Sequence, residues 1–305
     1  MRETHQQEPR DRMISQEDNL KTELSAQFKA HIMALNPLCL VAILAIINAI
    51  LPAMLLSLKD MSFVDAFLSG FGQSFIIWFS LFVCFQLYFN ALGASPERGS
   101  FSHWHYFFAF LLSLGLILPF SLSSWLCATL AALNWQFSLT SKQRKGTLGY
   151  AAILVFALAI REPSAQLFLQ VMAEQVLAID AKLAFLLLDL FSDQVSLQNN
   201  IIVNNDGTNL IILTGCSAFG NLSLAMLLYL SLKLFWFEKL AKRDMLNIAL
   251  LIILVLLSNS SRLALMTLSN EAYHFIHDGL GADAFDLIVL FLPVLVLLIA
   301  APKRT

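Results

Sequence analysis

Charge is scarce in this chain. Only 13% of its 305 residues are Asp, Glu, Lys or Arg, and 58% are apolar, whereas a soluble globular domain is about a quarter charged. That balance excludes an ordinary water-soluble domain. The net charge of −2 selects no partner, and no nucleic-acid partner is expected. Cysteine is sparse as well. Cys39, Cys84, Cys127 and Cys216 lie far apart, with no Cys-x-x-Cys pair and no His/Cys cluster, so neither a metal nor another cofactor is expected. Residues 1–30 are polar and charged and lack an apolar h-region, so they do not read as a cleaved signal peptide. No internal repeat, low-complexity tract or pair of Gly/Pro-broken helices is visible, which argues against an inverted-repeat transporter.

What is present is apolar length. Mean hydropathy is +0.72, and several runs of about 18–25 apolar residues could cross a bilayer. The expected fold is an all-α polytopic membrane protein with about eight transmembrane helices, over 37–58, 70–91, 105–120, 122–139, 147–162, 217–237, 245–267 and 284–301. Residues 1–30 are expected to form a polar cytoplasmic tail, and 31–305 a single integral membrane domain. Cytoplasmic loops carry excess Lys and Arg. Placing both termini inside leaves Lys59, Arg161, Lys182 and Arg262 as the basic residues on or near the outer side. The implied location is the cytoplasmic membrane, with membrane lipid as a partner.

The stretch 164–192 is apolar but interrupted by Gln166, Gln170, Glu174, Asp180, Lys182 and Asp189. This predicts a helix lying in the membrane interface. A strand over 195–203, a turn at Asn204-Asn205-Asp206-Gly207 and a second extended run over 208–213 predict a β-hairpin that delivers the chain to Cys216.

Three residues share the outer boundary in this topology. Cys216, in Thr214-Gly215-Cys216-Ser217, opens a helix, where unsatisfied amides favour thiolate over thiol. Its polar flanks Thr214 and Ser217 set it apart from the other three cysteines, for which packing is the usual role; packing also stands as the alternative for Cys216. Arg262 follows the polar run Ser258, Asn259, Ser260, Ser261 inside an apolar span. Intramembrane arginine costs about 2.5–3.5 kcal/mol and faces a polar cavity or a partner. It fits a donor to an oxyanion, or an arginine snorkelling to the interface. His277 offers proton transfer near neutral pH. His274, three residues earlier, is its competitor, and the two could instead form a metal pair, although no third ligand is in reach by sequence. Glu271, Asp278 or Asp283 could orient the imidazole.

The order Thr-Gly-Cys-Ser, then Asn-x-x-Arg (Asn259 to Arg262), then His-x-x-x-Gly (His277 to Gly281) resembles the exosortase/archaeosortase family of membrane-embedded cysteine transpeptidases. The resemblance covers roughly 145–300; the first four spans match in hydropathy. It implies Cys216 as nucleophile, Arg262 as oxyanion stabiliser and His277 as acid/base, supported by Asn259, Ser217, His274 and Asp278. It also implies exported protein substrates that carry a C-terminal sorting signal: a Pro-Glu-Pro-type motif, a transmembrane helix and a basic tail. Cleavage would pass through a thioester, and the new C-terminus would go to an unknown acceptor nucleophile. Bacterial members often accompany exopolysaccharide production. One departure is visible. The family usually shows Cys-Ser-Gly, and Ala218 stands in place of that glycine, with Gly220 two residues on. The competing readings are a multi-pass transporter or channel, an exopolysaccharide polymerase or ligase, which would not need Cys216, and a non-catalytic membrane scaffold.

Overall fold

The computed structural model describes residues 36–94, 102–118, 120–191, 195–204 and 209–300. Helix α1 (Pro37–Asp60) starts where Asn36 caps it: the Leu38 N–H donates to the Asn36 side chain at 2.9 Å, and Pro37 fills the first turn. A short α2 (Phe63–Leu68) and a 3₁₀ turn at Gly70–Gly72 lead into α3 (Phe75–Ala94). Then follow α4 (His103–Gly115), α5 (Ser121–Ser138), α6 (Ser141–Arg144), α7 (Thr147–Val171) and α8 (Ala173–Asp189). Three short strands intervene: β1 (Val195–Gln198), β2 (Ile201–Asn204) and β3 (Asn209–Ile211). A 3₁₀ turn, Thr214–Cys216, precedes α9 (Ala218–Phe237), α10 (Arg243–Met266), α11 (Asn270–His277) and α12 (Leu280–Ala300).

Two helical layers share the work. The first packs α1, α5 and α7 through fully buried alanines (Ala42, Ala45, Ala128, Ala131, Ala151, Ala152) around Trp135, with α3 joining through Ile77, Val83 and Leu87. Small residues let helix backbones approach closely where lipid supplies no hydrophobic drive. The second joins α9, α10 and α12 through Tyr229, Leu251, Val255 and Val296. A third apolar cluster sits at one end, where α8, the sheet and α11 converge on the last turns of α10 through Leu177, Ile202, Ile212, Leu263 and Ile276. This third cluster is the platform for the site.

Among the described residues, five helices are long and apolar enough to cross a membrane: Pro37–Asp60, Thr147–Val171, Thr214–Phe237, Arg243–Met266 and Leu280–Ala300. The molecule is a polytopic helical membrane protein. The other expected spans, 70–91, 105–120 and 122–139, fall on helices that do not combine that length and hydropathy; among them Phe75–Ala91 of α3 is an apolar helix just below spanning length.

Two local expectations are corrected. The stretch 164–192 is not one interfacial helix. Its first part continues α7 through Pro163 to Val171, and a break at Met172 starts α8, which packs on α10 and β1. Polar spacing concealed the break, because Gln166 and Gln170 belong to α7 and Glu174 to α8. The run 195–203 is not one strand either. It reverses at Asn199, which adopts the left-handed conformation (φ 54°), a conformation Asn tolerates better than β-branched residues. The result is an antiparallel sheet of order β1-β2-β3, with Leu197 opposite Ile202 and Ile202 opposite Leu210. The expected Asp206-Gly207 turn and the 1–30 tail lie outside the described residues.

At the opposite end of the α9–α10 pair, a buried polar cluster fixes the helices. The Tyr229 hydroxyl donates to Asp244 Oδ1 at 2.9 Å, and Lys233 Nζ lies 3.0 Å from the same oxygen. The Ala241 N–H donates to Asp244 Oδ2 at 2.7 Å. Removing one partner of a buried pair leaves the other charge uncompensated, at a cost of about 3–5 kcal/mol. Asp244→Ala should therefore lower the thermal midpoint of the detergent-solubilised protein markedly. An unchanged midpoint would mean that Lys233 finds water or another partner.

Candidate active site

The chain is held on its way to Cys216 from several directions. The sheet sets the approach: the Ile212 N–H donates to the Asn200 carbonyl at 3.0 Å, and Asn200 Nδ2 donates to the Ile212 carbonyl at 2.9 Å. Asn204 Nδ2 donates to the Thr267 carbonyl at 3.3 Å, fastening β2 to the end of α10. The chain then closes into the 3₁₀ turn, with the Cys216 N–H on the Leu213 carbonyl at 2.9 Å and the Ser217 N–H on the Thr214 carbonyl at 3.3 Å.

Cys216 therefore does not open the helix, as the sequence suggested. It precedes the cap. Ser217 is the N-cap of α9, and its hydroxyl oxygen accepts from the Phe219 N–H at 3.3 Å. Ala218, at the position where a glycine was expected, is buried, and its N–H donates to Asp180 Oδ2 at 3.2 Å. The Ser217 side chain lies beside the Asp180 carboxylate and helps to hold its pKa down against burial. The free amides of the helix start, which the sequence reading gave to the cysteine, are thus held by Ser217 and by an acid from α8.

From the other side, Asn259 on α10 donates through Nδ2 to the Cys216 carbonyl at 3.1 Å. Arg262 follows three residues later, one turn on along the same side of the helix. Its Nε is buried and has no hydrogen-bond partner among the described residues. The polar run before it is not uniformly turned to the cleft. The Ser260 and Ser261 hydroxyls donate to the carbonyls of Leu256 and Leu257 within the helix, leaving Asn259 and Arg262 to act beyond it.

His277 closes α11. Its Nδ1 lies 2.5 Å from Asp278 Oδ1. The carboxylate can only accept, so Nδ1 donates, and in the neutral imidazole Nε2 keeps its lone pair. Tyr273, one turn back, stacks on the ring at 5.0 Å between centroids and 11° between planes. His274 is turned outward, 71% exposed, with Nδ1 3.6 Å from Asp278 Oδ2. Of the acids considered for orienting His277, Asp278 is the one in contact. Gly281, at the start of α12, lies against α11; a Cβ there would come within 2.8 Å of the Phe275 carbonyl oxygen. That close approach gives a packing reason for the glycine four residues after His277.

These elements enclose one cleft of about 320 Å³ lined by Leu213, Thr214, Gly215, Cys216, Arg262, Leu263, Met266 and His277. Cys216, Arg262 and His277 border the same space although they come from a turn and two helices. No group of three or more His, Cys, Asp or Glu residues suited to a metal occurs among the described residues. Ser217 and Asn259 hold the turn that carries Cys216, and His274 and Asp278 stand behind His277. The residue that sequence reasoning missed is Asp180. Its signal was an acid in an otherwise apolar helical stretch, which was read as a solvated face; the side chain is only 3% exposed.

The hydrogen bond to His277, with His274 close by, holds the Asp278 carboxyl below the ordinary carboxylate value of 3.8. A depressed acid contributes its contact above its ordinary value and loses it only as pH falls through the lowered one. The Asp278–His277 contact should therefore persist at pH 4, which carboxyl-carbon NMR of Asp278 can read. A titration midpoint at or above 3.8 would contradict the geometry.

Compared with known proteins, residues 68–299 match a family model described as transmembrane exosortase. No curated protein and no solved structure matches the chain.

Proposed function

Because the chain belongs to the transmembrane exosortase family, we propose that it is a membrane-embedded cysteine transpeptidase or protease that cleaves a C-terminal sorting signal from exported proteins. The observation that carries this reading is the single cleft bordered by Cys216, Arg262 and His277. Asp278 on Nδ1 leaves His277 Nε2 to accept the thiol proton. The Cys216 sulfur attacks the scissile carbonyl carbon, and the C=O π pair moves to oxygen. Arg262 stabilises that oxyanion. Its unpartnered buried Nε supports this role, since a preorganised donor in a site poor in water is worth about 2.7–4 kcal/mol. Collapse of the tetrahedral intermediate breaks the C–N bond, and the imidazolium gives its proton to the leaving amine. A thioester on Cys216 remains, to be resolved by an acceptor amine or by water.

The topology of the proposal follows the basic residues. Lys142, Arg144, Lys145, Lys239, Lys242 and Arg243 cluster at the loops joining α5 to α7 and α9 to α10, the end opposite the cleft. By the positive-inside bias that end is cytoplasmic, so the cleft opens at the outer leaflet of a bacterial inner membrane. There it can meet the motif that precedes a substrate's own transmembrane helix.

Cys216→Ala should abolish processing and leave the full-length precursor in the membrane, read by immunoblot of a native exported substrate; normal cleavage by that variant ends the proposal. Arg262→Lys keeps the charge but loses the planar fork. Turnover should drop by about 10²–10³-fold with insertion unchanged, and a loss below about threefold would remove Arg262 from the oxyanion role.

A further inference from the structure

A buried acid stands behind the cleft and is not consumed by the chemistry above. Asp180 lies in the middle of α8, 3% exposed, and the Ala218 N–H donates to it at 3.2 Å, with the Ser217 side chain beside it. Burial raises its pKa and these two groups oppose the rise. Burial outweighs them and the pKa stands above the ordinary carboxylate value, while the Ala218 N–H and the helix N-terminus favour charge locally. The contacts fall on the two residues immediately after Cys216. On the other side, Asn259 holds the Cys216 carbonyl at 3.1 Å. The turn is thus held between α8 and α10.

We propose that Asp180 is a positioning residue for Cys216: its carboxylate pins the 214–217 turn to α8 so that the sulfur faces the cleft, and it neutralises the amide end of α9 at the same time. The inference rests on the reading of Cys216 as nucleophile. It has a consequence for where the thiolate gets its stabilisation. An anion at the N-terminus of α9 cancels the pull of the helix on sulfur, so activation falls to the cleft side. The charged and titratable groups around Cys216 are Asp180 from α8, Arg262 from α10 and His277 from α11, with Asp278 and His274 behind His277; α7 meets the start of α9 through Phe168 on Phe219. Asp180 is the negative member next to the turn, and Arg262 and His277 are the groups that favour charge on sulfur.

The test uses the full-length protein in membranes. Cys216 is alkylated with N-ethylmaleimide across a pH series, and its peptide is quantified by mass spectrometry, which separates it from the other cysteines. Asp180→Asn keeps shape and an acceptor for Ala218 but removes the charge. The midpoint of the alkylation profile should move down by about half to one pH unit, while precursor processing falls at least about tenfold. A purely structural acid would lower processing without moving the midpoint. Either an unmoved midpoint or undiminished processing in Asp180→Asn overturns the inference. If that variant does not accumulate in the membrane, Ser217→Ala serves instead: it should slow processing several-fold, and parental processing overturns the inference. A Cys216→Ala protein that still processes precursor would end the catalytic reading separately, without bearing on the alkylation profile.

Discussion

The site depends on a turn that is held from two helices at once. Asp180 grips the residues after Cys216 from α8, and Asn259 grips the Cys216 carbonyl from α10. Neither helix alone fixes the sulfur. Their packing against each other and against the sheet, through Leu177, Ala181, Ile212 and Leu263, converts two hydrogen bonds into a fixed position. Catalytic geometry demands this, because small misplacements of a nucleophile cost large factors in rate.

The same constraint explains the architecture around it. A helix start carries unpaired amides that must be satisfied when buried. Ser217 and Asp180 satisfy those of α9, and Cys216 is left one residue outside the helix, bordering open space instead of serving as the cap. Arg262 is tolerated inside an apolar helix because it lines that space. His277 reaches the same space from a short helix whose end is closed tightly against Gly281. The far end of α9 and α10 is anchored by Tyr229, Lys233 and Asp244, so the pair is fixed at both ends and the cleft lies at only one.

Much of this was legible in the residues, and the limits were physical. Apolar length identified a polytopic membrane protein, because a bilayer imposes a minimum run that few other environments require. Cys216, Arg262 and His277 stood out because each is chemically costly or unusual where it lies. The helix break at Met172 was invisible, since Gln166, Gln170 and Glu174 keep helical spacing across it. The reversal at Asn199 was hidden inside a run of strand-forming residues. Asp180 was misread because an acid among apolar residues has two explanations, a wet face or a buried partner. Sequence spacing cannot identify a partner 38 residues away. Which acid meets His277 was likewise decided by the fold of one short helix.

The central claim is covalent: the acyl group of a cleaved precursor resides transiently on the sulfur of residue 216. Acid-quenching the enzyme during turnover with an exported substrate of its own organism and mapping the adduct by mass spectrometry tests it most directly. The prediction is a hydroxylamine-sensitive thioester on the Cys216 peptide. Turnover that leaves the adduct on another side chain, or proceeds with no covalent enzyme species and no response to hydroxylamine, would contradict it.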